Sequence, residues 1–194
     1  EAATVMNYIL GGGGFSSRIT QTVRSDEGLA YSAGSYLSPG VYMDGVWGAG
    51  YESKNKTVAL AADLIFNEIQ KIKTELVSDA DLDLAKSALI EQFPSVFQSK
   101  SQTVGVFVND ELSDRNPQYW SSYKNKINNV TAKDVMRVAN KLLVPNEMCM
   151  VVVGDWGVIS KGNDRADTDD ILSIIDGTIT ELPLRDPVTL EPLL

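Results

Sequence analysis

The sequence predicts an α/β protein: an α+β two-layer sandwich, with a mainly antiparallel sheet and helices on one face. Three observations predict it. Two strand-like stretches, residues 29–38 and 41–52, flank the turn Ser38-Pro39-Gly40 and alternate larger with small or polar residues. Helix-period apolar stripes follow at Val58, Ala61, Ile65, Ile69 and Ile72, and again at Val135, Val138, Ala139 and Leu142. An apolar run from Met148 to Val153 then reads as a buried, central strand. The order helix, hairpin, long helices, strand closes most simply as one helical layer on one sheet.

Each element has a local reason. Residues 2–10 form a short helix with Val5, Met6, Ile9 and Leu10 on one side. Gly11 to Gly14 are expected to end it, because four glycines lose too much backbone entropy in a helix. Ser16 is the expected N-cap of a second short helix carrying Ile19 and Val23, and Gly28 its left-handed C-cap. In the hairpin, Leu29, Tyr31, Ala33, Ser35 and Leu37 share one face of the first strand. Val41, Met43, Trp47, Ala49 and Tyr51 share one face of the second.

Ser78 and Asp81 resemble a capping box and open a helix with Leu82, Ala85, Leu89 and Phe93 inward. Pro94 breaks or kinks that helix near residues 90–93. Further helices are expected from about Ser101 to Leu112, after Asn116-Pro117, and from the Thr131 cap up to Pro145. The last forty residues are polar, turn-rich and proline-punctuated. Ile171 to Ile175 is the one expected helical turn there.

The bulk chemistry excludes several classes. The chain has 194 residues and a net charge of −9, from 17 basic and 26 acidic side chains. That balance argues against a phosphate-tracking nucleic-acid surface. No apolar run approaches the roughly 20 residues a membrane helix needs. Cys149 is the only cysteine, so no intrachain disulfide forms, and its apolar neighbours predict a buried, inert thiol. The compartment stays open between bacterial periplasm and cytoplasm.

The chain contains no histidine. That removes H-E-x-x-H and H-x-x-E-H zinc sites, and Ser-His-Asp or Cys-His catalysis, from this chain. Asp164, Asp167, Asp169 and Asp170 lack the spacing of a calcium loop and read as a solvated acidic segment. The glycines Gly11, Gly12, Gly13 and Gly14 follow a helix and lack a G-K-[ST] ending, so they are no phosphate loop. They either let a peptide backbone approach closely or simply break the helix. Arg24 and Tyr31, seven residues apart across the Gly28 turn, can converge. A guanidinium fork and a phenol suit a carbonyl or carboxylate. The alternative is a surface arginine beside a half-buried tyrosine.

The continuous stretch GGGGFSSRITQTVRSDEGLAYSAGSY closely resembles the C-terminal, non-catalytic half of the pitrilysin/insulinase zinc metallopeptidases, which include the mitochondrial processing peptidases. The matching pieces are Asn7 to Gly13 (N-x-x-L-G-G-G), Phe15 to Ile19 (F-S-S-R-L, with Ile for Leu) and Arg24 to Ser32 (R-x-x-x-G-L-A-Y-S). Weaker support comes from Thr131 to Ala139 and from Val151 to Asp155.

The resemblance implies the LuxS/MPP-like metallohydrolase fold, in which two related halves close as a clamshell over an extended peptide. It implies that Arg24 and Tyr31 reach the substrate and the reaction's oxyanion, where both groups stabilise negative charge. It implies that Gly11 to Gly14 form a substrate-recognition loop. Catalytic groups and metal ligands are expected to be absent from this chain, with zinc held by a partner half on the same polypeptide or on another subunit. Residues 1–155 are the expected half-domain, lacking its first strands ahead of Glu1. Residues 156–194 are the expected tail, packing on the domain or on a partner. The rival readings are a catalytically dead scaffold of the same fold, like the core subunits of respiratory complexes, and a free-standing peptide-binding module.

Overall fold

A computed structural model describes residues 1–162 and 179–193. The acidic segment at Asp164 to Asp170 and the turn expected at Ile171 to Ile175 lie outside the described residues. The architecture joins one antiparallel hairpin to a helical layer. Helix α1 (Ala2–Asn7) runs directly into a π-helical turn, Tyr8–Gly12. A 3-10 turn (Gly14–Ser16), the short α2 (Arg18–Thr20) and a second π-helical turn (Gln21–Asp26) lead into β1 (Ala30–Ser38) and β2 (Val46–Ser53). Helices α3 (Val58–Thr74), α4 (Asp79–Gln92), α5 (Lys100–Leu112), α6 (Tyr119–Asn128), α7 (Ala132–Leu142) and the short α8 (Trp156–Ile159) follow.

Most of the apolar stripes meet in one core, but Leu142, expected on the inner face, is 41% exposed and Val58 packs in a second cluster. Val5 and Met6 of α1, Ile69 and Ile72 of α3, Ala85 of α4 and Val135 of α7 are all buried in the main core. Ala33 of β1 and Trp47 and Tyr51 of β2 close it from the sheet side. The second, smaller cluster joins Val58 and Ala59 to Ile159 of α8, with Met150, Val152 and Trp156 against it. Both N-caps form, but at Ser78 only half of the expected box does, since the Asp81 carboxylate pairs with Arg18. Ser78 Oγ accepts from the Asp81 amide at 3.0 Å. Thr131 and Asp134 make a reciprocal capping box. At Pro94 the helix tightens into a 3-10 turn, Phe93–Phe97.

Several expectations are corrected. The first helix ends inside the glycine run, as expected, but only after its second member: helical backbone continues through Gly12, closed by the Gly13 amide on the Tyr8 carbonyl at 2.9 Å. Packing overrides propensity there. Gly11 is buried against β1, and a Cβ on it would fall 2.5 Å from the Ser35 amide nitrogen. The N-cap position of α2 is taken by Ser17, with extended φ/ψ of −87° and 149°, in place of Ser16.

The hairpin turn spans residues 39–45, so Val41 and Met43 lie in an exposed loop and off the expected strand face. Close backbone packing shapes that loop: a Cβ on Gly45 would sit 2.5 Å from the Ser38 carbonyl oxygen. Residues 148–153 form no strand among the described residues, and none of the described strands pairs with them. Burial alternates along them: Met150 and Val152 pack inward, while Val151 and Val153 are 76% and 88% exposed. Cys149 shares the outward side and is exposed, against the buried thiol expected.

Candidate functional site

The segment from Asn7 to Ser35 is fastened to the scaffold at successive points. Asn7 Oδ1 accepts from Ser35 Oγ at 2.8 Å and from the Trp47 indole at 3.0 Å, tying α1 to both strands. Buried Thr20 donates to the Ala33 carbonyl at 2.7 Å, tying α2 to β1. Arg18 pairs with Asp81 of α4 at 3.3 Å. Thr22 Oγ1 reaches Glu68 Oε1 at 3.4 Å. That carboxylate is 5% exposed on α3 and also accepts from Lys71 at 2.7 Å.

The chain then reverses. Gly28 has φ +62°, and the Leu29 amide closes on the Val23 carbonyl at 2.9 Å, a seven-residue loop one residue wider than a Schellman end, in keeping with the π-helical turn it follows. This is the left-handed cap expected of Gly28. It sets the end of the second π-helical turn, which carries Arg24, beside the start of β1, which carries Tyr31. One further device aims Tyr31. Ala30 pairs with Ser53 and Ser32 with Glu52, leaving Tyr31 as an extra residue in a β-bulge. The bulge shifts the alternation by one, so Ala33 turns toward the core while Tyr31 turns outward and is 81% exposed. The expectation that Tyr31 shares a face with Ala33, Ser35 and Leu37 is corrected by that single residue.

Arg24 and Tyr31 do converge: the guanidinium carbon lies 5.2 Å from the centre of the tyrosine ring. A third residue joins them. The same carbon lies 4.3 Å from the centre of the Phe15 ring. Phe15 comes from the 3-10 turn after the glycines, and Gly14, with φ +60°, directs the chain into that turn. Phe15 is 67% exposed, so it is no core residue. Its place was not legible in the sequence, because nine positions and two changes of helix type separate it from Arg24. Its presence in the F-S-S-R stretch was the one available signal.

The two arginines of the segment thus differ in use. Arg18 is committed to α4, while none of the salt bridges among the described residues uses Arg24. A ring face beside a guanidinium is no conventional hydrogen-bond acceptor, so the N–H donors of Arg24 can still serve a carbonyl or carboxylate. Of the glycines, Gly11 is buried against Ser35 of β1, Gly12 and Gly13 lie close to Asn7 and Tyr8 of their own helix, and Gly12 and Gly14 are exposed. Phe15, Arg24 and Tyr31 sit on an open surface. The concavities of about 390 and 330 Å³ lie elsewhere, beneath α5 at Trp120 and between Arg18 and Glu68.

The described residues do not fit a zinc ion. The chain lacks imidazole, and no group of three or more metal-ligating side chains occurs among the described residues. No helix among them is long and apolar enough to cross a membrane.

Comparison with known proteins agrees with the resemblance read from Asn7 to Ser32. Residues 1–89 match the family model described as the peptidase M16 inactive domain, the designation of the same metallopeptidases. An uncharacterised zinc protease of Rickettsia bellii is 29% identical over 156 residues, covering 77% of this chain and 36% of that protein. The structure of a peptidase M16 inactive domain from Pseudomonas fluorescens superposes with a TM-score of 0.63 at 23% identity, covering 74% of this chain and 34% of that one. A protease from Helicobacter pylori gives 0.62 at 25% identity, again over 74% and 34%. The chain therefore spans about a third of the length of each of these relatives.

Proposed function

We propose, from the M16 inactive-domain match over residues 1–89, that this chain is the substrate-holding half of a zinc metallopeptidase. In this reading it closes over an extended peptide and completes an active site whose zinc sits in a catalytic half, on the same polypeptide or on a partner subunit. Residues 1–155 form the half-domain, and residues 156–194 form a tail that packs on the domain or the partner. The observation that carries the reading is the pair itself: Arg24 and Tyr31, 5.2 Å apart from guanidinium carbon to ring centre, on an open surface. A cleft wall that must meet a second wall needs such a surface, and a self-contained enzyme would enclose its groups.

The chemistry follows from the donors. Arg24 offers N–H groups at the edge of a fixed plane, and Tyr31 offers one phenolic O–H. Both strengthen their hold as a peptide carbonyl oxygen gains negative charge, so they favour the transition state over the bound peptide. A scaffold of the same fold would keep Asn7, Arg18 and Thr20, whose bonds are internal, and would have no use for the outward pair.

The test is kinetic, on the full-length protein with its catalytic half. Arg24→Ala or Tyr31→Phe is expected to lower kcat on a fluorogenic peptide by about 10²–10³, the range for one oxyanion donor, with the melting curve unchanged. Unchanged kinetics would favour the scaffold. The purified 194-residue chain alone is expected to hydrolyse nothing, and zinc-dependent peptidase activity from it would overturn the proposal.

A further inference from the structure

We propose that Phe15 is a positioning residue, holding the Arg24 guanidinium in the plane from which it meets the peptide carbonyl; this rests on the role of Arg24 proposed above. The geometry is specific to a cation on a ring face. The guanidinium carbon lies closer to the Phe15 centroid, 4.3 Å, than to that of Tyr31, 5.2 Å. The two aromatic rings are not in ring contact with each other, so Arg24 is what they share. Phe15 is 67% exposed, which is costly for a side chain whose only purpose would be packing.

The segment before Phe15 is built to bring it there. Gly14 takes φ +60°, and a Cβ placed on it would meet nothing, so its need for glycine is conformational. Ser16 Oγ donates to the Gly13 carbonyl at 2.9 Å and Ser17 Oγ to the Gly14 carbonyl at 2.7 Å, pinning the turn from both following residues. The glycine run thereby serves the site indirectly: its last member delivers an aromatic ring to the arginine. A long arginine side chain on an open surface samples many rotamers, and fixing it on substrate arrival weakens binding. A ring already 4.3 Å from the guanidinium carbon removes part of that freedom in advance.

The experiment is a double-mutant cycle on the full-length protein with its catalytic half, read as kcat and KM on a fluorogenic peptide. Phe15→Leu keeps an apolar side chain and removes the ring. It is expected to lower kcat/KM about threefold to thirtyfold, the span of an exposed to a desolvated cation–π contact, chiefly through kcat. Phe15→Tyr is expected to restore most of the loss. In an Arg24→Ala background, Phe15→Leu is expected to have no further effect. An equal fall in both backgrounds overturns the proposal, because Phe15 would then act on substrate or fold directly. So does a Phe15→Leu protein that matches the parent while Arg24→Ala is slow, or one that has lost its melting transition while Phe15→Tyr has not. Arg24→Ala with parental kinetics is a separate outcome: it overturns the functional reading, and this inference with it.

Discussion

Gly11 meets Ser35 backbone to backbone: a Cβ on Gly11 would lie 2.5 Å from both the amide nitrogen and the Oγ of Ser35. The contact seats the first π-helical turn on β1, and Asn7, one turn earlier, holds the same serine by a hydrogen bond. Two opposed effects decide what a methyl would do there. Helix propensity favours alanine over glycine by about 1 kcal/mol. Overpacking a well-filled site costs about 1–3 kcal/mol, and here the obstacle includes a main-chain atom that cannot rotate aside. Gly11→Ala is therefore expected to lower the melting temperature by several degrees, whereas Gly105→Ala, inside α5 with nothing near its Cβ position, is expected to raise it. Differential scanning calorimetry of the two variants reads both signs.

The α7 cap gives an acid-range prediction. The Asp134 carboxyl is held at about 2, below its ordinary 3.8, first by the Thr131 hydroxyl and then by Arg137. A folded-state value below the unfolded one adds stability above the unfolded value and loses it as pH falls toward the folded one. Unfolding by urea from pH 4 down to pH 2 is expected to show this loss, and Asp134→Asn to flatten the profile across that window. Thr131→Ala is expected to cost about 1 kcal/mol at neutral pH through the cap alone.

Tyr51 gives the alkaline counterpart. Burial pushes its phenol up to about 12 from 10.0, and its O–H donates to the Val58 carbonyl at 2.8 Å. A raised folded-state value means the contribution is complete below pH 10 and fades as pH rises through about 12. Tyr51→Phe is expected to lose about 1 kcal/mol near neutrality and to unfold with a shallower dependence between those two pH values. An unchanged alkaline slope in the variant would place the titrating group elsewhere.

Cys149 is exposed in a segment that belongs to no described helix or strand. One thiol per chain is expected to react with Ellman's reagent under native conditions, at a rate close to that in denaturant. A thiol silent until unfolding would contradict the outward alternation of residues 148–153.

What was legible in the sequence was what short-range chemistry dictates. The stripe from Val58 to Ile72, the Ser78 and Thr131 caps and the left-handed Gly28 all depend on neighbours within a turn or two, and each stands as read. Arg24 and Tyr31 were legible as a pair because one glycine turn lies between them. The misreadings share a different origin. Gly11 stays helical because of Ser35, a residue on another element. Met148 to Val153 looked central because every side chain is apolar, yet only alternate ones are covered. Phe15 reaches Arg24 by a path that no periodicity describes. In each case a long-range contact decided against the local pattern.

The bulge at Tyr31 makes that residue supernumerary to its own strand. Take it out, and Ala30 would still face the core, Ser32 the solvent and Ala33 the core, with every remaining rung of the ladder intact. The hairpin thus has no stake in the phenol, and the phenol has no alternative place in the hairpin. The ladder and the outward phenol are separable, and the separation is one residue long.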